Sequence, residues 1–151
     1  MTLETILLAV GPGDAERTDA LAEAVIEVAA PVESTVVLAH VFTDDEYEKV
    51  VDQLSFDTGV EEVNPDEVAG RHATIRDLRN PLDDAGVNYE VRGSVGDHGK
   101  AIVDLSTDVS ADRVVVGGRK RSPTGKAVFG STAQEVLLSA PCPVTFVRSS
   151  D

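Results

Sequence analysis

The chain has 151 residues, of which 42% are hydrophobic, and 27 acidic side chains against 13 basic ones give a formal net charge of −14 at pH 7. This length suits one ordinary domain with a real core, the apolar content excludes a disordered chain, and no apolar run approaches the ~20 residues of a membrane-spanning helix. A field this negative repels nucleic acid and anionic membrane, so neither is expected as a partner.

Only Lys49, Lys100, Lys120 and Lys126 are lysines. Acid-rich, lysine-poor surfaces are what a salt-loaded cytoplasm favours, because ions screen the self-repulsion of a compact anionic domain. The N-terminal Met1–Ile6 lacks a basic start followed by a long apolar stretch, so a cytoplasmic protein is expected, and by its composition a halophilic one, the alternative being an ordinary acidic mesophile protein. Cys142 is the single cysteine and lies between Pro141 and Pro143. An intrachain disulfide or a cysteine zinc cluster is therefore excluded, and the residue reads as a small packed group in a turn.

Thr5–Val10 is a short apolar run and reads as a buried strand, broken by Gly11-Pro12-Gly13-Asp14. Leu21, Ala24, Val25 and Val28 mark one face of a helix. Ser34–Val41 is the second strand. Asp44–Asp66 is acidic and poorly periodic, predicting a mixture of short helix and mobile loop. Val68, His72, Ile75, Leu78 and Leu82 give a single helical stripe, disturbed near its end by Pro81. Asn88–Arg92 is a short strand, and Ile102, Leu105 and Val109 mark the next helix. Arg113–Gly117 is strand four. Ala133, Val136, Leu137 and Ala140 mark the last helix, and Val144–Arg148 the last strand.

Strands alternating with helices build a parallel sheet covered on both faces, since each crossover returns over the sheet with one hand. The chain is read as one α/β domain over 1–151, doubly wound, with no internal repeat or linker. Ligands in such folds bind beyond the carboxyl ends of the strands, where strand order reverses. The loops to search are Gly11–Asp14, Phe42–Glu46, Gly93–His98 and Gly117–Gly130.

The last of these reverses the sign of the chain. Arg119, Lys120, Arg121 and Lys126 are four of its 13 basic residues. Gly117, Gly118, Gly125 and Gly130 let a backbone approach a ligand closely. Ser131-x-x-Gln134 and Thr132-x-x-Glu135 are overlapping capping-box patterns. Unpaired N–H groups at the helix start, with cations nearby, make a phosphate cradle. The alternative is a solvated basic loop paired with acidic neighbours or a partner subunit.

Gly118 to Lys126 is not a P-loop, because the glycines are too far apart and Ala127 replaces the hydroxyl residue. Gly11-Pro12-Gly13 lacks the third glycine of a dinucleotide fingerprint. His40 at the end of strand two and His72 in a helix stripe read as packed groups. His98 sits beside Asp97, a candidate N-cap, in a loop on the ligand side. Three histidines so scattered do not suggest a metal, and no nucleophile, base and orienting group come together.

Along nearly its whole length the chain resembles the universal stress protein family. The carrying segments are Ile6–Val10, Val36–Val41 with its closing His40-Val41, Val114–Ser131 and Ala140–Val147. The resemblance implies a five-stranded parallel sheet in the order 3-2-1-4-5 with helices on both faces, dimeric through the last strand. One branch of the family binds ATP through glycine, two residues, glycine, nine residues, glycine, then serine or threonine. Gly117, Gly130 and Ser131 match that pattern, and Lys120 stands where it has its second glycine. ATP-binding relatives carry an aspartate at the end of strand one, where this chain has Gly11, with Asp14 three residues later. The nucleotide-contacting positions expected from the cradle and the resemblance together are Gly11, Val41, Gly117, Arg119, Lys120, Gly130, Ser131 and Thr132.

Three functions follow as alternatives. The first is an ATP-binding regulatory homodimer. The second is a dimer that binds no nucleotide and acts through protein partners, consistent with Gly11 and Lys120. The third is an enzyme such as a weak ATPase, for which no catalytic constellation is visible. The expected reading is a binding module rather than an enzyme.

Overall fold

A computed structural model describes residues 3–58, 64–118 and 130–148. Its strands are β1 (Thr5–Val10), β2 (Thr35–Phe42), β3 (Tyr89–Val95), β4 (Arg113–Gly118) and β5 (Val144–Arg148). They form one sheet in the order β3-β2-β1-β4-β5, and every pair is parallel. This is the architecture and strand order expected from the sequence.

The strands are apolar on alternate and intervening positions alike because both faces are covered. Ile6, Leu8, Val36 and Leu38 pack against α1 (Thr18–Val32) and α4 (Ala73–Asp84), through Leu21, Val25, Ile75, Leu78 and Leu82. On the other face Leu7, Ala9, Val37, Ala39, Val114 and Val116 meet α5 (His98–Asp108) and α6 (Ser131–Ser139), through Ile102, Leu105 and Val136. Each fully buried leucine or isoleucine contributes on the order of 2 kcal/mol. Asp112 locks the amino end of the sheet, its Oδ2 accepting from the N–H groups of Glu4 (2.9 Å) and Thr5 (3.0 Å).

Three elements differ from their sequence reading. The acidic stretch after β2 is a regular helix, α2 (Asp44–Thr58). A capping box starts it: Thr43 N–H donates to Glu46 Oε1 at 2.8 Å, and Glu46 N–H donates to Thr43 Oγ1 at 3.2 Å. Asp44, Asp45 and Glu46 also suit the positive end of the helix dipole.

The stripe from Val68 to Leu82 is two helices, α3 (Pro65–Arg71) and α4. They part at His72, whose backbone is extended and whose Nδ1 caps α4 by accepting from Thr74 N–H at 3.3 Å. Pro81 lies inside α4, which runs on to Asp84.

Strand β3 reaches Val95, so Gly93–Val95 pair with His40–Phe42 instead of forming a loop. Gly93 is required there by close approach. Any Cβ would collide with the Pro65 carbonyl of α3, and Gly93 N–H donates to Asp66 Oδ1 at 2.7 Å. The start of α3 thus covers part of the β3 edge, one of the ways proteins protect an unpaired strand.

His40 is 1% exposed. Its ring stacks on Phe42 at 4.3 Å between centroids and lies 4.1 Å from the His72 ring. Neither ring nitrogen has a hydrogen-bond partner among the described residues. Burial first, and the neighbouring His72 second, push its pKa down to about 3.

The sign of the resulting pH dependence follows. Folded His40 stays neutral while an unfolded histidine takes up a proton below about pH 6.5, so stability is full above that value and is lost as pH falls toward 3. Between pH 7.5 and pH 5 the loss from this residue is about 2 kcal/mol. His40→Phe removes the titration and the orphaned nitrogens. Urea unfolding at the two pH values should therefore show about 2 kcal/mol less acid destabilisation in His40→Phe than in the wild type. Equal acid sensitivity of the two proteins would refute this account of His40.

Candidate functional site

β1 is paired on both sides, and its neighbours β2 and β4 are reached by crossovers over opposite faces of the sheet. Beyond the carboxyl ends of β1 and β4 the chain goes on to α1 on one face and to α6 on the other, and a cleft of about 250 Å³ lies between. Its floor is apolar, with Ala9, Val41, Val116 and Ile102. Its polar groups come from two walls.

The first wall is the turn after β1. Gly11 is extended, and Pro12–Asp14 make one turn of 3-10 helix. Asp14 folds back so that its Oδ2 accepts from Gly11 N–H at 2.8 Å. Its Oδ1 accepts from Arg17 Nη1 at 2.5 Å. Asp14 is 8% exposed, and a lone carboxylate so deep would be costly, so the guanidinium beside it is the compensating charge.

This pair lies directly over Gly117 on β4. A Cβ there would stand 2.7 Å from Arg17 Cδ, 2.9 Å from Asp14 Oδ1 and 3.3 Å from Leu21 Cδ2. Gly117 therefore has a structural reason to be glycine that the sequence did not reveal: it makes room for the Asp14–Arg17 pair. Arg17 was not singled out from sequence, and its signal was the three-residue spacing from Asp14 across a turn.

The second wall joins three helix starts. His98 opens α5, and Asp97 is its N-cap as expected, accepting from Lys100 N–H at 3.3 Å. His98 Nε2 lies 2.7 Å from Glu46 Oε1, the same oxygen that caps α2. Burial alone would raise the Glu46 carboxyl, but the bonds from Thr43 N–H and His98 outweigh it and hold its pKa below the usual range. Glu46 is therefore ionised at neutral pH.

Thr132 of α6 completes this wall. The N-cap of α6 is Gly130, with no side-chain cap, so neither Ser131 nor Thr132 takes the capping position that the sequence patterns suggested. Gln134 N–H donates to Gly130 O at 3.0 Å. The N–H groups of Ser131, Thr132 and Ala133 thus precede the first intrahelical bond and sit at the positive end of the dipole.

Of the positions expected to contact nucleotide, Gly11, Val41, Gly117 and Thr132 line this cleft. Gly130 and Ser131 stand beside it, exposed, at the start of α6. Arg119 and Lys120, with the rest of the basic loop to residue 129, lie outside the described residues. His40 packs against His72 on the opposite face of the sheet, away from the Val41 side. Cys142 is half-buried, and burial, then Asp112, push its thiol up, as suits a packed residue. Among the described residues no group of three potential ligands could hold a metal ion, and no helix is long and apolar enough to cross a membrane.

The family model described as "Universal stress protein family" matches residues 2–148. A universal stress protein of Mycolicibacterium smegmatis is 37% identical over 79 residues, covering 52% of this chain and 61% of that protein. The match thus spans less than two thirds of that relative's length. Among solved structures, a universal stress protein in complex with cAMP has a TM-score of 0.68 at 20% identity, covering 99% of this chain and all of its own. A universal stress protein family member from Arabidopsis thaliana with AMP bound has a TM-score of 0.64 at 15% identity, over 97% and 92% of the two chains. At such identities the structural likeness establishes the fold.

The packing over Gly117 has a measurable consequence. Gly117→Ala must displace Arg17 and Asp14, and overpacking of this kind costs roughly 1–3 kcal/mol. Truncating Arg17 removes the nearest of these collisions, that with its Cδ. Urea unfolding of Gly117→Ala, Arg17→Ala and the double variant should give a combined loss smaller than the sum of the single losses, by at least about 0.5 kcal/mol. Strict additivity would mean that the guanidinium does not rest on Gly117.

Proposed function

The chain belongs to the universal stress protein family, and we propose that it is a regulatory protein of that family which binds an adenine nucleotide in the cleft beyond β1 and β4. The observation that carries this reading is the makeup of the cleft. An apolar floor of Ala9, Val41 and Val116 suits a base, and the walls bring Arg17 and the start of α6 at Thr132. Backbone N–H groups at a helix start and a guanidinium are the two devices that hold phosphate. The loop that leads from β4 into α6 carries Arg119, Lys120, Arg121 and Lys126, which suits a polyphosphate such as ATP. Two solved members of the fold hold cAMP and AMP, so nucleotides are within the repertoire of this architecture.

We read the protein as a binding module rather than an enzyme, acting in a salt-rich cytoplasm. It works as a homodimer through β5. Among the described residues that strand pairs only with β4 and is otherwise an edge, and α6 beside it leaves Leu138 77% exposed. An open edge next to an exposed leucine is a template for two-fold pairing. A second reading, action through protein partners without nucleotide, is favoured by one feature: Asp14 and Arg17 already occupy the space over Gly117.

Native mass spectrometry of the purified protein and titration calorimetry in molar potassium chloride decide between the two. Co-purified adenine nucleotide, or ATP binding by the wild type, supports the first reading. Gly130→Val supplies the control. A Cβ at Gly130 meets nothing within 4 Å among the described residues, so the variant should fold, yet the larger side chain fills the approach to the α6 N–H groups. Its affinity should fall on the order of tenfold or more, about 1.4 kcal/mol. A wild type that neither carries nor binds nucleotide gives the second reading, and Lys120→Gly then tests whether the lysine is the block.

Sedimentation at micromolar concentration in the same buffer should show a dimer. A monomer would remove the β5 interface.

A further inference from the structure

We infer that Glu46 is the residue that reads the nucleoside, by accepting a hydrogen bond from a sugar hydroxyl or an exocyclic amino group of the bound nucleotide. This rests on the nucleotide reading above and adds to it the residue that sets specificity. A nucleoside entering an apolar cleft loses the water that satisfied its donors, and each donor left without an acceptor costs affinity. The cleft therefore needs an accessible acceptor, and its lining contains two carboxylates, Asp14 and Glu46.

Asp14 is already committed. Both its oxygens are engaged, one by Gly11 N–H and one by Arg17, and it is 8% exposed. Glu46 differs on each point. Its side chain is 31% exposed. One oxygen, Oε1, takes both Thr43 N–H and His98 Nε2. No hydrogen bond to its Oε2 is formed among the described residues, the Thr43 hydroxyl being the one further group beside the carboxylate. The two bonds at Oε1 fix the carboxylate from two helices at once, since Glu46 begins α2 and His98 begins α5. A carboxylate held at one oxygen and unoccupied at the other is a pre-positioned acceptor, which loses little side-chain freedom when it binds. A charged acceptor also makes roughly twice as strong a bond as a neutral one.

Glu46→Gln tests this selectively. Thr43 N–H requires an acceptor at Oε1, so the amide oxygen stays there and the amide NH2 falls at the Oε2 position. That exchanges the acceptor for a donor while keeping the cap of α2. Titration calorimetry in molar potassium chloride should use AMP, its 2′,3′-dideoxy analogue and inosine monophosphate. The wild type should prefer AMP by about tenfold over whichever analogue lacks the donor that Glu46 reads, which also distinguishes hydroxyl from amino group. Glu46→Gln should lose that preference and bind the donor-lacking analogue within about twofold of wild type. In the wild type, the ¹³C resonance of the Glu46 carboxyl should move on adding AMP and stay in place with that analogue, a measurement that does not depend on the variant folding.

Equal weakening of all three ligands by Glu46→Gln would assign Glu46 to structure alone and overturn the inference. Equal affinity of the wild type for all three would overturn it as well, while leaving nucleotide binding intact. No binding of any of the three, nor of ATP, would remove the nucleotide reading itself and this inference with it.

Discussion

Everything at the carboxyl end of this sheet depends on β1 having a partner on each side. A strand paired on both edges and covered on both faces has no water anywhere along it, which is why Ile6 to Val10 are all essentially unexposed. The chain must leave such a strand at its carboxyl end. The connection leaving β1 passes over one face through α1, and the one leaving β4 goes to α6 on the other. Where they separate, backbone groups at the end of β1 are left without a sheet partner. Gly11 N–H is one of these, and Asp14 supplies its acceptor. The cleft is thus a product of topology, and the Asp14 turn is how the chain resolves the polar groups that topology exposes.

From that turn follows a chain of size constraints. Asp14 is buried, so it needs a cation. Arg17 provides it from three residues on, just before α1. The guanidinium stem then lies against β4, so Gly117 must lack a side chain. A glycine in a strand is normally a loss of packing and of chain order. Here it is matched to an ion pair belonging to another element. The same logic appears at Gly93, where the missing side chain admits the start of α3 over an edge strand. In both cases the glycine is explained by what lies above it rather than by its own backbone angles.

The sheet was legible because its signal is local and redundant: five short apolar runs separated by helical stripes or turn residues. The family resemblance then fixed their order. The site was less legible because its determinants are pairwise and distant. Thr43-x-x-Glu46 is a capping box that could have revealed α2, but acidic residues around it masked the weak periodicity. The break at His72 could not be read from spacing, since Val68, Ile75 and Leu78 keep helical intervals across it, and only the extended backbone of His72 separates α3 from α4. The contact of Glu46 with His98 spans 52 residues of sequence and leaves no local pattern at all. Gly117 was picked from the sequence for its approach to a ligand, a reason that overlooked the side chains that rest on it.

The charge of the chain bears on how such a cleft would select a ligand. At −14 the protein repels anions at long range. In molar salt the Debye length is only about 3 Å, so that repulsion ends close to the surface and steering from distant charges ends with it. What remains are contacts at hydrogen-bonding distance in places that salt cannot enter. On the proposed reading, the α6 start and Arg17 would act at that range on phosphate, and Glu46 on a donor. An acidic protein in high salt can therefore hold an anionic nucleotide without a basic surface, provided its few cations and unpaired N–H groups lie inside the cleft. Specificity then has to come from the uncharged end of the ligand, because phosphate contacts alone do not distinguish one nucleotide from another.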